Sequence, residues 1–281
     1  VDTPGLKSTY TAYLASPRLS FKHSTYFPVY DRLFAPWVGR PLTFVEIGVF
    51  NGGSLLMWRD YFGPQARIIG VDFNPEARRL EADGFEIHIG NQADPAFWRD
   101  FLAKVGPIDV FLDDGGHTFE QQIVTVDSVL PAIVDGGLVV VEDTHTSYQS
   151  DFGGPSSRSF ASWAKRMVDG INHRFSDFPD RPREETVFSV AFYESIIAFH
   201  VDRRLAGLAS VPTRNRDGEI EVRDFRYQDS PIIQGLKQMG LQIGKVGDWP
   251  VVGGSMRALL KTIFALRNAR RTAGLGRYFR W

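Results

Sequence analysis

The sequence predicts an α/β fold: a parallel sheet with helices on both faces. Three observations carry that reading. Five short apolar runs, at 43–48, 66–73, 85–90, 108–114 and 137–143, alternate with segments of helical spacing at 54–62, 94–105 and 118–134. The runs are rich in Val, Ile and Phe and nearly continuous in apolar character, as in strands covered on both faces. Four of them close on glycine or an acidic residue, and the run 66–73 carries Asp72 just before its end, as strands that turn into helices often do.

The flanks read differently. Residues 1–40 carry Tyr, Phe and Pro and are expected to form a short helical or irregular arm before a main domain at 41–201. Within that domain, 144–159 is polar and Gly/Ser-rich, a candidate functional loop or lid. A further helix is expected at 159–175, and 187–193 with 195–201 form a candidate antiparallel pair around the turn Tyr193-Glu194-Ser195. Residues 202–281 form an extension, irregular and mixed in charge to 248. Its last stretch, 255–281, has seven Arg/Lys and no acid and could form a basic amphipathic helix. That tail reads first as a solvated end; contact with an anionic membrane, a lipid-linked sugar or another subunit stays open.

Composition narrows the function. The 281 residues carry a formal net charge of −1, so no overall field draws the chain to nucleic acid. Cysteine is absent, which removes disulfides, thiolate metal sites and a cysteine nucleophile. No apolar run approaches the roughly 20 residues that span a bilayer, and the first residues lack a basic-then-apolar signal pattern. A cytoplasmic protein that forms a homo-oligomer is expected.

Chemistry gathers at the carboxyl ends of the strands. The first run leads through Glu46 and Gly48 into Asn51, Gly52, Gly53 and Ser54, where a helix begins, and the second closes on Asp72, 24 residues after Gly48. A carboxylate at that place accepts hydrogen bonds from two ribose hydroxyls. Pyrophosphate-binding turns keep a glycine where this chain has Phe50, which favours a nucleoside ligand without a pyrophosphate. S-adenosylmethionine (SAM) is such a ligand. Asn91 and Gln92, after the third run, stand where an adenine edge would be read; a polar turn capping the next helix would serve those residues equally well.

Asp113, Asp114 and His117 follow the fourth run, and Glu142 and Asp143 end the fifth. Four carboxylates converging on one sheet edge call for a cation. Oxygen ligands from Asp114, Glu142 and Asp143 suit Mg²⁺ or another hard divalent ion. Thr118-x-x-Gln121 has the pattern of a capping box, which would place His117 in the turn before a helix, facing the cleft as a general base. Helix capping by Asp113 or Asp143 and a backbone-bonded His117 are the structural alternatives. His145 and Tyr148 are candidate substrate contacts in a loop that could equally be merely exposed.

The runs VEIGVFNGGS, GVDF, GNQAD, DDGGHTFEQQ and VVVEDTHTSY resemble the metal-dependent sugar O-methyltransferases, including the mycinamicin, macrocin, methylmannose and rhamnosyl enzymes and the related cephalosporin hydroxylase-like proteins. The resemblance covers about residues 40–150. It implies a class I SAM-methyltransferase sheet of seven strands with the last antiparallel, and Mg²⁺ on Asp114, Glu142 and Asp143. It also implies His117 as the base and donor binding by Glu46, Gly48 and Asp72. Asn51, Gly52, Ser54, Asn91, Gln92 and Asp113 complete the expected donor-binding set. Asn91 departs from the family's G-D-Q. The arm FKHSTYFPVYDRLF is similar to a family segment that closes over the ligands, which makes His23 and Tyr26 further substrate candidates. The expected reaction is methyl transfer to a sugar hydroxyl. Methylation of a catechol-like phenol and non-catalytic SAM binding are the alternatives.

Overall fold

The computed structural model describes residues 8–173, 184–211, 213–218, 231, 234–235 and 253–279. The chain divides into two units, Val1–Val211 and Pro212–Trp281.

The first unit holds a seven-stranded sheet: β1 Leu42–Ile47, β2 Ala66–Asp72, β3 Glu86–Ile89, β4 Ile108–Asp113, β5 Ile133–Val141, β6 Val187–Tyr193 and β7 Ile196–Val201. The spatial order is β3-β2-β1-β4-β5-β7-β6. The first five strands are mutually parallel, and the β6–β7 hairpin adds to the edge with β7 antiparallel to β5. The chain winds outward from β1 to β3, then returns to β4 on the other side of β1. That reversal leaves a crevice beyond the carboxyl ends of β1 and β4.

Alternation along the strands divides the core into two layers. Phe44, Val110, Leu112, Leu138 and Val140 face one side with α3 (Gly53–Phe62), whereas Val45, Ile47, Phe111, Val139 and Val141 face the other. The second face is covered by α4 (Pro95–Val105), α5 (Phe119–Val129) and α6 (Phe160–Ile171). The capping box forms as its spacing predicts: Thr118 Oγ1 accepts from the Gln121 backbone N–H at 3.3 Å, and Gln121 Oε1 accepts from the Thr118 N–H at 3.2 Å. Between β2 and β3 the chain runs through a 3₁₀ segment, Pro75–Asp83, instead of an α-helix.

The arm is part of this core. It contributes α1 (Thr9–Ala15) and α2 (Tyr26–Phe34), and Tyr30 and Phe34 pack edge-on against Trp58 of α3 at ring-centroid separations of 5.2 and 5.4 Å. The segment between α1 and α2 crosses the start of α3, where Ser16 Oγ donates to the Gly53 carbonyl at 2.8 Å.

Past β7, α7 (Arg203–Gly207) ends the first unit; much of 202–248 lies outside the described residues. In the second unit α8 spans Gly253–Thr272, so the helix expected in the basic tail forms. Residues 174–175 of the helix expected at 159–175 and 280–281 of the tail lie outside the described residues. Among the described residues no helix is long and apolar enough to cross a membrane.

Candidate active site

A cavity of about 830 Å³ opens at the crevice, lined by the glycine turn, the end of β2, the loop after β3 and the 114–117 loop. Its size suits a nucleoside-sized ligand with room for a second molecule. Gly48, at φ 90°, is where two of these walls touch: a Cβ there would stand 1.9 Å from the Asp114 carbonyl oxygen. Only glycine permits that approach. The Gly48 N–H donates to the Val71 carbonyl and the Asp114 N–H to the Ile47 carbonyl, each at 2.9 Å, so turn and loop are stitched to neighbouring strands.

Asp72 sits at the rim, and its Oδ2 accepts from the Val49 and Phe50 N–H groups at 3.0 and 3.4 Å. It thus fixes the glycine turn while still lining the cavity. Phe50 adopts φ 45° and exposes its ring, which lies 6.1 Å from that of Phe21 on the arm. These two rings and Phe73 give the mouth an aromatic rim.

Gly48, Asn51, Ser54, Asp72, Asn91 and Gln92 line the cavity as expected of a donor site, although several side chains are already committed. Asn51 accepts from Arg79 at 3.2 Å, and Ser54 Oγ donates to Glu46 at 2.8 Å. Asn91 accepts from the Ala93 N–H in a turn, and the Gln92 amide ties the Gly116 N–H to Asp113. Asn91 thus forms the polar turn before the next helix, which Asp94 caps, whereas Gln92 braces the 113–116 loop; both still line the cavity.

Three expected donor-binding residues do not reach the cavity. Gly52 is the N-cap of α3, and a Cβ there would run into Leu80. Asp113 is fully buried, accepts from Gln92 and the Gly115 N–H, and has its carboxyl pushed up to about 7 by burial. Glu46 shares the sheet face of Phe44 and turns beneath α3, accepting from Ser54 Oγ and from Trp58 Nε1 at 3.2 Å. Burial pushes its carboxyl up to about 7 against the pull of Lys22.

Lys22 is the residue that sequence reasoning missed. Its side chain, 1% exposed, reaches from the arm into the acidic cluster. The ammonium donates to Asp114 Oδ2 at 2.6 Å and to the two Glu142 oxygens at 3.0 and 2.9 Å, with Glu46 Oε1 at 3.7 Å. Burial disfavours the charge, but the carboxylates of Asp114, Glu142 and Glu46 outweigh it and hold the lysine well above its usual range. One ammonium does not balance three carboxylates. Glu142 is accordingly raised, by burial and then by Asp114, and it also accepts from the Tyr30 hydroxyl.

Asp143 stands apart from that pairing. It adopts φ 54°, accepts from the Tyr26 hydroxyl, and places Oδ2 3.4 Å from His117 Nε2. His117, at φ 60°, lines the cavity and leaves Nδ1 buried without a hydrogen-bond partner. Its imidazole makes no backbone bond, in contrast to the structural alternative. Asp114, His117 and Asp143 offer ligand atoms all within 4.8 Å of one another. Of the expected metal ligands, Asp114 and Asp143 are brought together with His117, and Glu142 shares the Lys22 ammonium with Asp114 while also accepting from Tyr30. Among the substrate candidates, Tyr26 and His145 both contact Ser195, His23 stacks edge-on to His145, and Tyr148 is exposed on the loop after β5.

Residues 45–144 match a family model described as a methyltransferase domain. The chain is 36% identical over 188 residues to the 8-demethyl-8-α-L-rhamnosyl tetracenomycin-C 2′-O-methyltransferase of Streptomyces olivaceus, covering 61% of this chain and 49% of that one. It is 29% identical to the mycinamicin VI 2′′-O-methyltransferase of Micromonospora griseorubida, covering 79% of this chain and 57% of that one. The solved structure of the MycE methyltransferase with Mg, S-adenosylhomocysteine and mycinamycin VI superposes with a TM-score of 0.64 at 26% identity, over 83% of this chain and 58% of that one. The chain spans about half the length of the first two curated relatives it matches, at 49% and 50%. By fold and by sequence it is a class I methyltransferase-fold protein related to the sugar O-methyltransferases.

Proposed function

We propose that this chain transfers the methyl group of SAM to a sugar hydroxyl with the aid of a divalent cation. One observation carries the reading: a single cavity joins the Gly48–Asp72 turn to the Asp114–His117–Asp143 group. The relatives' names add the acceptor class, a sugar on a larger natural product.

The donor set suits a hard cation. The carboxylates of Asp114 and Asp143 lie close enough to share an ion beside His117, and the neighbouring cluster carries more negative charge than Lys22 neutralises. Asp114 and Asp143 would hold the ion, which as a Lewis acid lowers the pKa of an acceptor hydroxyl. Asp72 and the glycine turn hold the donor's ribose, so that its methyl faces the 114–117 loop. His117 takes the acceptor's proton as the new C–O bond forms and the donor's C–S bond breaks, leaving S-adenosylhomocysteine. Asp143, 3.4 Å away, orients the imidazole and stabilises its charged form. Phe21, Phe50 and Phe73 supply an apolar rim for the remainder of the acceptor.

The test is methyl transfer from labelled SAM to a panel of glycosides and catechols, with and without EDTA. Turnover on glycosides that EDTA removes and Mg²⁺ restores is expected. His117→Ala should lower it by about 10²–10⁴ with SAM affinity retained. Transfer to catechols alone, or SAM binding without transfer, would overturn the assignment.

A further inference from the structure

On the far side of Asp143 from His117 lies a second group with different ligand chemistry. His23, Asp143 and His145 also offer ligand atoms all within 4.8 Å of one another. His23 belongs to the arm, one residue after Lys22, whereas Asp143 caps the 3₁₀ turn Thr144–Tyr148 that follows β5 and His145 lies within it. The two imidazoles meet edge-on with centroids 5.7 Å apart. His145 Nδ1 lies 2.5 Å from Ser195 Oγ and 3.8 Å from Asp143 Oδ1. Serine and aspartate thus approach the same ring nitrogen, which rules out a serine–histidine–aspartate relay, where the two must occupy opposite nitrogens.

We infer that His23, Asp143 and His145 form a binding site for a borderline divalent transition ion such as Zn²⁺, separate in ligand type from the Asp114–Asp143 site. Two imidazoles and one carboxylate match the preference of Zn²⁺ or Co²⁺ and are poor partners for Mg²⁺. The site is open to solvent: His23 is exposed and the His145 side chain is 37% exposed. Tyr26 bonds to both Ser195 and Asp143, while Ser195 Oγ reaches the His145 nitrogen that faces Asp143 and would yield it to an ion. An ion there would tie the arm to the end of β5 beside the cavity mouth. It would also draw Asp143 away from His117. The expected consequence is a clamped arm and inhibited turnover.

The inference stands on ligand geometry and does not depend on what the chain methylates. Its test is calorimetric titration of the whole chain with Zn²⁺ in excess Mg²⁺, alongside Co²⁺ absorption spectra and hydrogen exchange of residues 16–25. One Zn²⁺ should bind, with a Co²⁺ spectrum of nitrogen ligation and slowed exchange in the arm. His23→Ala and His145→Ala should each weaken Zn²⁺ by more than about tenfold and abolish the slowed exchange, while His117→Ala, which frees Asp143 from its other imidazole, does not weaken Zn²⁺. Equal affinity in the parent, His23→Ala and His145→Ala would overturn the site. So would a loss confined to His117→Ala, which would place the ion inside the cavity.

Discussion

Replacing Lys22 with methionine removes one charge and keeps the length and most of the bulk of the side chain. In the parent, that ammonium contacts Asp114 at 2.6 Å and Glu142 at 2.9 Å with its side chain 1% exposed. Removing one partner of a buried ion pair leaves uncompensated charge and costs about 3–5 kcal/mol. In a domain of about 150–250 residues each kcal/mol shifts Tm by roughly 2–4 °C, so the melting point should fall by about 6–20 °C. The sign of the pH dependence follows. Without the ammonium the buried carboxyls bind protons more tightly when folded, so the gap between variant and parent should narrow as pH falls. Millimolar Mg²⁺ should recover part of the loss by supplying a replacement cation. Circular-dichroism melts at several pH values, with and without Mg²⁺, measure all three effects. A variant melting with its parent at pH 8, or a gap that widens toward acid, would refute the electrostatic account of the arm.

Three further outcomes follow from the same geometry. Gly48→Ala should cost more than about 1 kcal/mol in chemical denaturation and weaken SAM binding, because the new methyl meets a backbone carbonyl at a positive φ. Asp72→Ala should weaken SAM in a calorimetric titration by roughly 10–150-fold, the worth of one charged hydrogen bond. Glu46→Gln should flatten the pH dependence of stability. The parent carboxyl, raised to about 7 from 4.5, binds its proton more tightly when folded, so its contribution to stability falls as pH rises across that window. The variant should therefore gain on the parent between those limits in denaturant melts followed by tryptophan fluorescence.

The sheet was legible because its central strands are buried on both faces and their apolar runs have little else to be. The β6–β7 pair was legible from two apolar stretches around a short polar turn. The 3₁₀ segment Pro75–Asp83 was not, since its composition is mostly charged and only Ala77 and Leu80 are buried in it. At the site, the sequence located Asp114, His117 and Asp143 by their place at strand ends, and the structure brings them together. Donor binding by Glu46 is what the family resemblance implies. Period-two alternation sets it on the same face as Phe44, and that parity could have shown that it points beneath α3. Lys22 was hidden by distance in sequence, being 92 residues from Asp114. The available signal was a charge imbalance: an edge with four acids needs cations, and the aromatic arm held a lysine beside the very histidine singled out for substrate contact.

His117 and Asp143 both hold left-handed backbone conformations, at φ 60° and 54°. For residues with a Cβ, such conformations are tolerated only where surrounding structure enforces them. Glycine at either place would relax the main chain while deleting the functional side chain. Selection for thermal robustness alone would therefore drift toward inert proteins at these two codons. Their persistence as histidine and aspartate in any stabilised library would be a readout of chemistry rather than of folding.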